Sequence, residues 1–150
     1  MANWYTAEQV QTARAAAALS AAGAYDATPL ELPCPGFKFV TLFLSYTRAG
    51  AGGAVTFRTE ANPDAAGGTW FRGGLYDPGA VALGADTTSN LQREGITYGS
   101  TAAGAETFIY GPLEIQGGVE RLRFPCAESG NLANPGTVSI EARFSGEINQ

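Results

Sequence analysis

Residues 37–48 read FKFVTLFLSYTR, and this stretch decides the fold class. Val40, Leu42, Leu44 and Tyr46 recur at every second position, the period at which a β-strand presents one face. Phe39 and Phe43 fall on the alternate positions and put apolar bulk on the other face. A strand that is apolar on both faces is either central in a sheet covered on both sides or buried at an interface. The stretch 137–144 gives the contrasting one-sided pattern. There Val138, Ile140, Ala142 and Phe144 alternate with Thr137, Ser139, Glu141 and Arg143.

Outward from these two runs the same grammar repeats. Residues 25–32 are expected to form a strand stopped by Pro33 and Pro35. The glycine-rich 49–53 makes a hairpin tip, and beyond it Val55 and Phe57 alternate with Thr56, Arg58 and Glu60. Asn62-Pro63-Asp64 and Gly67-Gly68 form a loop before a short strand at 69–72 that carries Trp70 and Phe71. The run 73–100 is irregular, with short strands expected at 80–83 and 91–98. Strand patterns return at 106–110, 113–115 and 119–124, where Leu122 and Phe124 face inward. Many short strands separated by turn signals predict a mainly β protein, an antiparallel β-sandwich of jelly-roll type.

The N-terminus reads differently. Thr6 followed by Gln9 has the form of a capping box, alanines at 7, 13, 15–18, 21 and 22 supply helix propensity, and Gly23 suits a C′ position. One α-helix is therefore expected over 6–22, dividing the chain into a helical arm, 1–23, and a β-sandwich, 24–150. Its apolar stripe of Val10, Ala13 and Ala17 is thin, and an isolated helix of this length is marginal. It must pack on its own domain or on a neighbouring subunit. In the second case Trp4, Tyr5, Val10, Ala13 and Ala17 are the assembly contacts, with the two aromatics as anchors.

Composition bounds the chemistry. The chain of 150 residues has room for one domain. It is 45% hydrophobic and only 15% charged, and 20 Gly with 8 Pro argue against long helical bundles. A net charge of −5 leaves no basic surplus for a nucleic-acid backbone. The absence of His removes Ser-His-Asp and Cys-His catalysis and His-ligated zinc. No nucleophile elbow, phosphate loop or zinc-protease motif is present, and the N-terminus lacks the basic and apolar regions of a signal peptide. Asp64, Asp77, Asp86, Glu94, Glu106 and Glu114 are scattered over turns and polar faces as solvated carboxylates. Asn62, Asp64, Asp77 and Asp86 lie in loops that could offer oxygens to calcium, without EF-hand spacing. Trp70, Tyr76, Tyr98 and Tyr110 could stack on sugars, although aromatics in a sandwich are mostly core. Arg121, Arg123, Arg143 and Glu141 read as cross-strand charge pairs. Cys34 and Cys126 each follow a proline; they are either small buried apolar residues or a disulfide across neighbouring strand ends.

The segments FVTLFLSYTRAGAGGAVTFRTEANPD, TWFR and VERLRFPCAESGNLANPGTVSIEARFSG together resemble the β-sandwich proteins of tailed-bacteriophage virions, over 24–146. Those proteins serve as head decoration (cement) proteins or as tail and fibre modules. The resemblance implies a role in assembly and carries over no site residues. The expectation is a structural virion protein, most simply a capsid decoration protein, made in a host cytoplasm and built into a particle. Its implied partners are itself, as a homo-oligomer such as a trimer, and a major capsid or tail protein. Neither nucleic acid nor membrane is expected as a partner, and no enzyme activity, cofactor or metal. The alternative is a glycan- or receptor-binding module of a tail or fibre.

Overall fold

The computed structural model describes residues 4–76, 92–93 and 95–149, and every helix or strand among them is a strand. The strongest stretch of the sequence sits at the centre of the largest sheet. That sheet runs in the order β1 (Trp4–Ala18), β13 (Thr137–Asn149), β3 (Phe39–Thr47), β10 (Ala105–Ile115), β7 (Leu75–Tyr76) and β8 (Gln92–Arg93). A second sheet runs β2 (Leu32–Pro33), β11 (Arg121–Arg123), β5 (Glu60–Asn62) and β6 (Phe71–Arg72). The third is β12 (Cys126–Glu128), β4 (Ala54–Arg58) and β9 (Gly95–Gly99). All these pairings are antiparallel. The two smaller sheets continue one another: only Thr59 separates β4 from β5, and only Phe124-Pro125 separates β11 from β12. At that joint the Arg58 amide donates to the Pro125 carbonyl, 3.1 Å away.

Between the layers lies one core. Val40, Leu42, Leu44 and Tyr46 of β3 and Val138, Ile140, Ala142 and Phe144 of β13 are buried from one side. Val55, Phe57, Leu122, Phe124 and Cys126 are buried from the other. The Phe57 ring joins them, edge-on to Tyr110 at 6.1 Å and to Phe124 at 6.3 Å. Full burial of side chains this size contributes about 1.5–3 kcal/mol each, so this core dominates the stability.

The helix expected over 6–22 does not form. Residues 4–18 are instead strand β1, paired with β13 from Trp4↔Asn149 to Ala18↔Thr137. The physical reason is that a thin alanine stripe buries little on a helix, whereas a strand here completes the exposed ladder of β13 and puts Ala13 and the following Leu19 into the core. Register shifts between Thr12 and Arg14 and between Arg14 and Ala17 absorb the alanine run as bulges. Gly23 sits at φ 71° in a turn, its amide donating to Ser20, instead of ending a helix. The N-terminal segment is therefore part of the large sheet and not a helical arm. The jelly-roll expectation is corrected with it, since the strands divide six, four and three.

Other departures are smaller. The strand expected at 25–32 shrinks to Leu32–Pro33, because Asp26 turns away to bond the Cys126 amide and Arg14. The two runs 106–110 and 113–115 form one strand, β10, with a cis Gly111–Pro112 bond and a register shift between Tyr110 and Leu113. The strand expected at 80–83 lies outside the described residues.

Candidate functional site

The second face of β3 raises the functional question. Its inner face is sealed, yet Phe39 and Phe43 on the outer face are only half-buried, and no further layer of the chain covers them among the described residues. The register lines up one row across four strands: Thr12 faces Glu141, Glu141 faces Phe43, and Phe43 faces Ile109. The next row sets Val10 opposite Arg143 and Arg143 opposite Thr41. Ile109 is 66% exposed and Val10 54%, large values for such apolar side chains. Ile109 points out because its neighbours Phe108 and Tyr110 pack against the core.

The charges on this face are paired with one another. The Arg143 guanidinium lies 5.1 Å from the centre of the Phe43 ring, bonds Glu141 at 2.8 Å and approaches Glu8 at 3.8 Å. A shallow cleft of about 520 Å3 crosses the rows, with Phe43, Ile109, Ala15, Ala16 and Glu141 in its lining. Such a surface offers apolar contact and hydroxyl groups, without a nucleophile–base pair.

A second concentration of polar groups surrounds Glu128, which is 2% exposed. Its carboxylate accepts the Tyr46 hydroxyl at 2.6 Å and the amides of Gly136 at 2.8 Å, Ala54 at 2.8 Å, Gly130 at 3.0 Å and Asn131 at 3.1 Å. Burial pushes this carboxyl up, but the Tyr46 hydroxyl and the converging amides outweigh burial and hold it down at about 2. Burial and the adjacent carboxylate raise the Tyr46 hydroxyl. With both oxygens committed, Glu128 ties the 129–136 loop to the 48–53 hairpin. Gly53 and Gly136 let that knot close, since a Cβ on either would come within 2.6 Å of Tyr46.

The remaining sequence candidates scatter. Of the assembly set, Ala13 is buried in the core, Ala17 and Val10 are exposed, and β1 carries Trp4 and Tyr5 at its start. Cys34 and Cys126 are free, buried thiols, which burial pushes up to about 12. Asn62 and Asp64 form a local turn, the Asn62 side chain accepting the Asp64 amide and donating to the Gly67 carbonyl. Asp77 and Asp86 lie outside the described residues, as does Glu94. No three His, Cys, Asp or Glu side chains converge as metal ligands among the described residues. Trp70 lies beneath Arg123 at 4.2 Å and Arg121 at 5.1 Å, and Tyr98 stacks on Phe108 at 4.5 Å. Arg123 pairs with Glu60 across the strands, as the sequence suggested, but Arg121 is buried and reaches Glu31 at 2.7 Å. Ile109 and Glu128 escaped the sequence reading. The apolar run 108–110 on both faces of a strand was the signal for the first, and a lone Glu beside Cys126 gave none for the second.

No helix among the described residues is long and apolar enough to cross a membrane. No family model matches the chain, and no curated protein matches it. Among solved structures it is similar to the SPBc2 prophage-derived protein YomS, at 10% identity and a TM-score of 0.47, over 95% of this chain and 96% of that one. A second similarity is to a chain from Bacillus endospore appendages, described as a novel family of disulfide-linked pili, at 11% identity and a TM-score of 0.30, over 97% and 88% of the two chains. The neighbours are thus a prophage-derived protein and a pilus-like appendage.

Proposed function

We propose that the chain is a structural protein of a phage particle that works by assembly, most simply as a capsid decoration protein holding a shell through subunit contacts. Its place is then the virion, and its partners are further copies of itself and a major capsid or tail protein. The role is contact and not catalysis. The observation that carries this reading is the outer face of the large sheet, where Ile109 and Val10 stand open to solvent beside a half-buried Phe43, above a sealed core. The pairing of Arg143 with Glu141 and Glu8 leaves a single net negative charge among them, which limits the cost of burying that face against another surface. The alternative, a glycan- or receptor-binding module, draws on the exposed rings of Phe71 and Tyr76. It is weaker because Trp70 is already covered by two guanidinium groups.

Ile109→Asp tests the reading. At an exposed site the change should alter stability by less than about 0.5 kcal/mol. Light scattering of the purified protein should show oligomers for the unaltered chain and markedly smaller species for the variant. An Ile109→Asp protein that assembles like its parent would refute the role of this face.

A further inference from the structure

Strand β1 closes one end of the large sheet and has β13 as its only strand neighbour among the described residues. Its free edge is not uniform. Beyond Ala13 it is occupied: the Arg14 guanidinium bonds the carbonyls of Ala17 and Ala18, and 26–30 runs beside it, held by the Arg14–Asp26 pair at 2.9 Å. The register shift after Thr12 also ends the regular ladder there. Over residues 8–12, Glu-Gln-Val-Gln-Thr, edge protection is slight: no Pro, no Lys and no bulge, with Glu8 at one end as the single charge.

We infer that this edge pairs antiparallel with the same edge of a second copy, about a two-fold axis at Val10, making one continuous sheet across the dimer. The inference rests on the assembly reading and adds the contacting edge and its register. An axis through a residue sets each side chain opposite one on the same face, and the short edge permits few choices. Centred on Glu8, two like charges would face each other. Centred on Gln9, Glu8 would face Val10, a charge against an apolar side chain. Centred on Gln11, Glu8 would face Arg14, which Asp26 and three carbonyls already hold. Centred on Val10, the two exposed valines meet at the axis, Gln9 faces Gln11 of the second copy, and Glu8 faces Thr12. That register pairs β-branched with β-branched and opposes no like charges, while the Gln11 amide keeps its own-chain bonds to the Pro33 carbonyl and to Gln9. It also covers Val10, which the chain alone leaves 54% exposed on a strand whose alternate residue, Ala13, is buried past the bulge.

Cysteine cross-linking reads the register directly. Residues facing each other across an antiparallel pair have Cα atoms about 4.5–5.5 Å apart, within the range a disulfide spans. Two Thr12 residues would instead be offset by about 13 Å along the strands, beyond that range. Val10→Cys and Thr12→Cys both replace exposed residues, and the native thiols are buried. Under mild oxidation at rising protein concentration, Val10→Cys should form the covalent dimer at least tenfold faster than Thr12→Cys. Equal rates, a faster Thr12→Cys, or no dimer from either variant would overturn the inference. Assembly that Ile109→Asp abolishes, without a Val10→Cys cross-link, would sink the edge pairing and leave the assembly reading standing.

Discussion

Glu128 shows how one buried carboxylate can organise a loop region of a low-charge protein. Five donors converge on it, so a buried charge that would otherwise destabilise the fold is fully hydrogen-bonded. Glu128→Gln keeps the shape but sets an NH2 group against backbone amides, and should lower stability at pH 7 by about 2–4 kcal/mol in urea unfolding. The pH dependence follows from the same contacts. The folded carboxyl titrates near 2, below its ordinary 4.5, so its contribution is complete above pH 4.5 and is lost as pH falls from there towards 2. The variant should therefore show a flatter loss of stability across that window than its parent. Cys34 and Cys126 give a second check at this scale. Raised to about 12 by burial, both should resist a thiol reagent at pH 8 in the folded protein and react together on unfolding. Rapid native labelling of either would show that its burial is not as described.

Strands β3 and β13 were legible in the sequence because alternation and burial agree in them: every residue assigned inward is buried. Strand β1 was not. Alanine favours a helix locally, and what overrode it was the unpaired edge of β13, a partner more than a hundred residues away and invisible to any local pattern. In Glu8–Ala13 the outward Val10 and inward Ala13 do obey a period of two, but between them lie only Gln11 and Thr12, and the register shifts after Thr12 end the pattern. Ala13 supplies the test at this scale. Ala13→Asp would put a carboxylate at a position 2% exposed within the core, whereas on a surface helix it would matter little. The strand predicts a loss of about 3 kcal/mol or more in a denaturant titration. A change under about 0.5 kcal/mol would favour a segment detached from the sheet.

For the whole molecule, the sequence already contained the decisive ambiguity. A strand apolar on both faces is covered twice, and among the described residues the chain covers β3 once. What the sequence could not supply was the neighbours of Phe43, since the cross-strand rows that place Ile109 and Glu141 beside it depend on register. The assembly role therefore turns on whether this face is buried when the protein works. Hydroxyl-radical footprinting of dilute and concentrated protein, read residue by residue, measures this directly. Oxidation of Phe43 and Ile109 should fall severalfold on concentration while that of Phe71 and Tyr76 stays constant. Protection of Phe71 and Tyr76 with Phe43 and Ile109 unchanged would contradict the account.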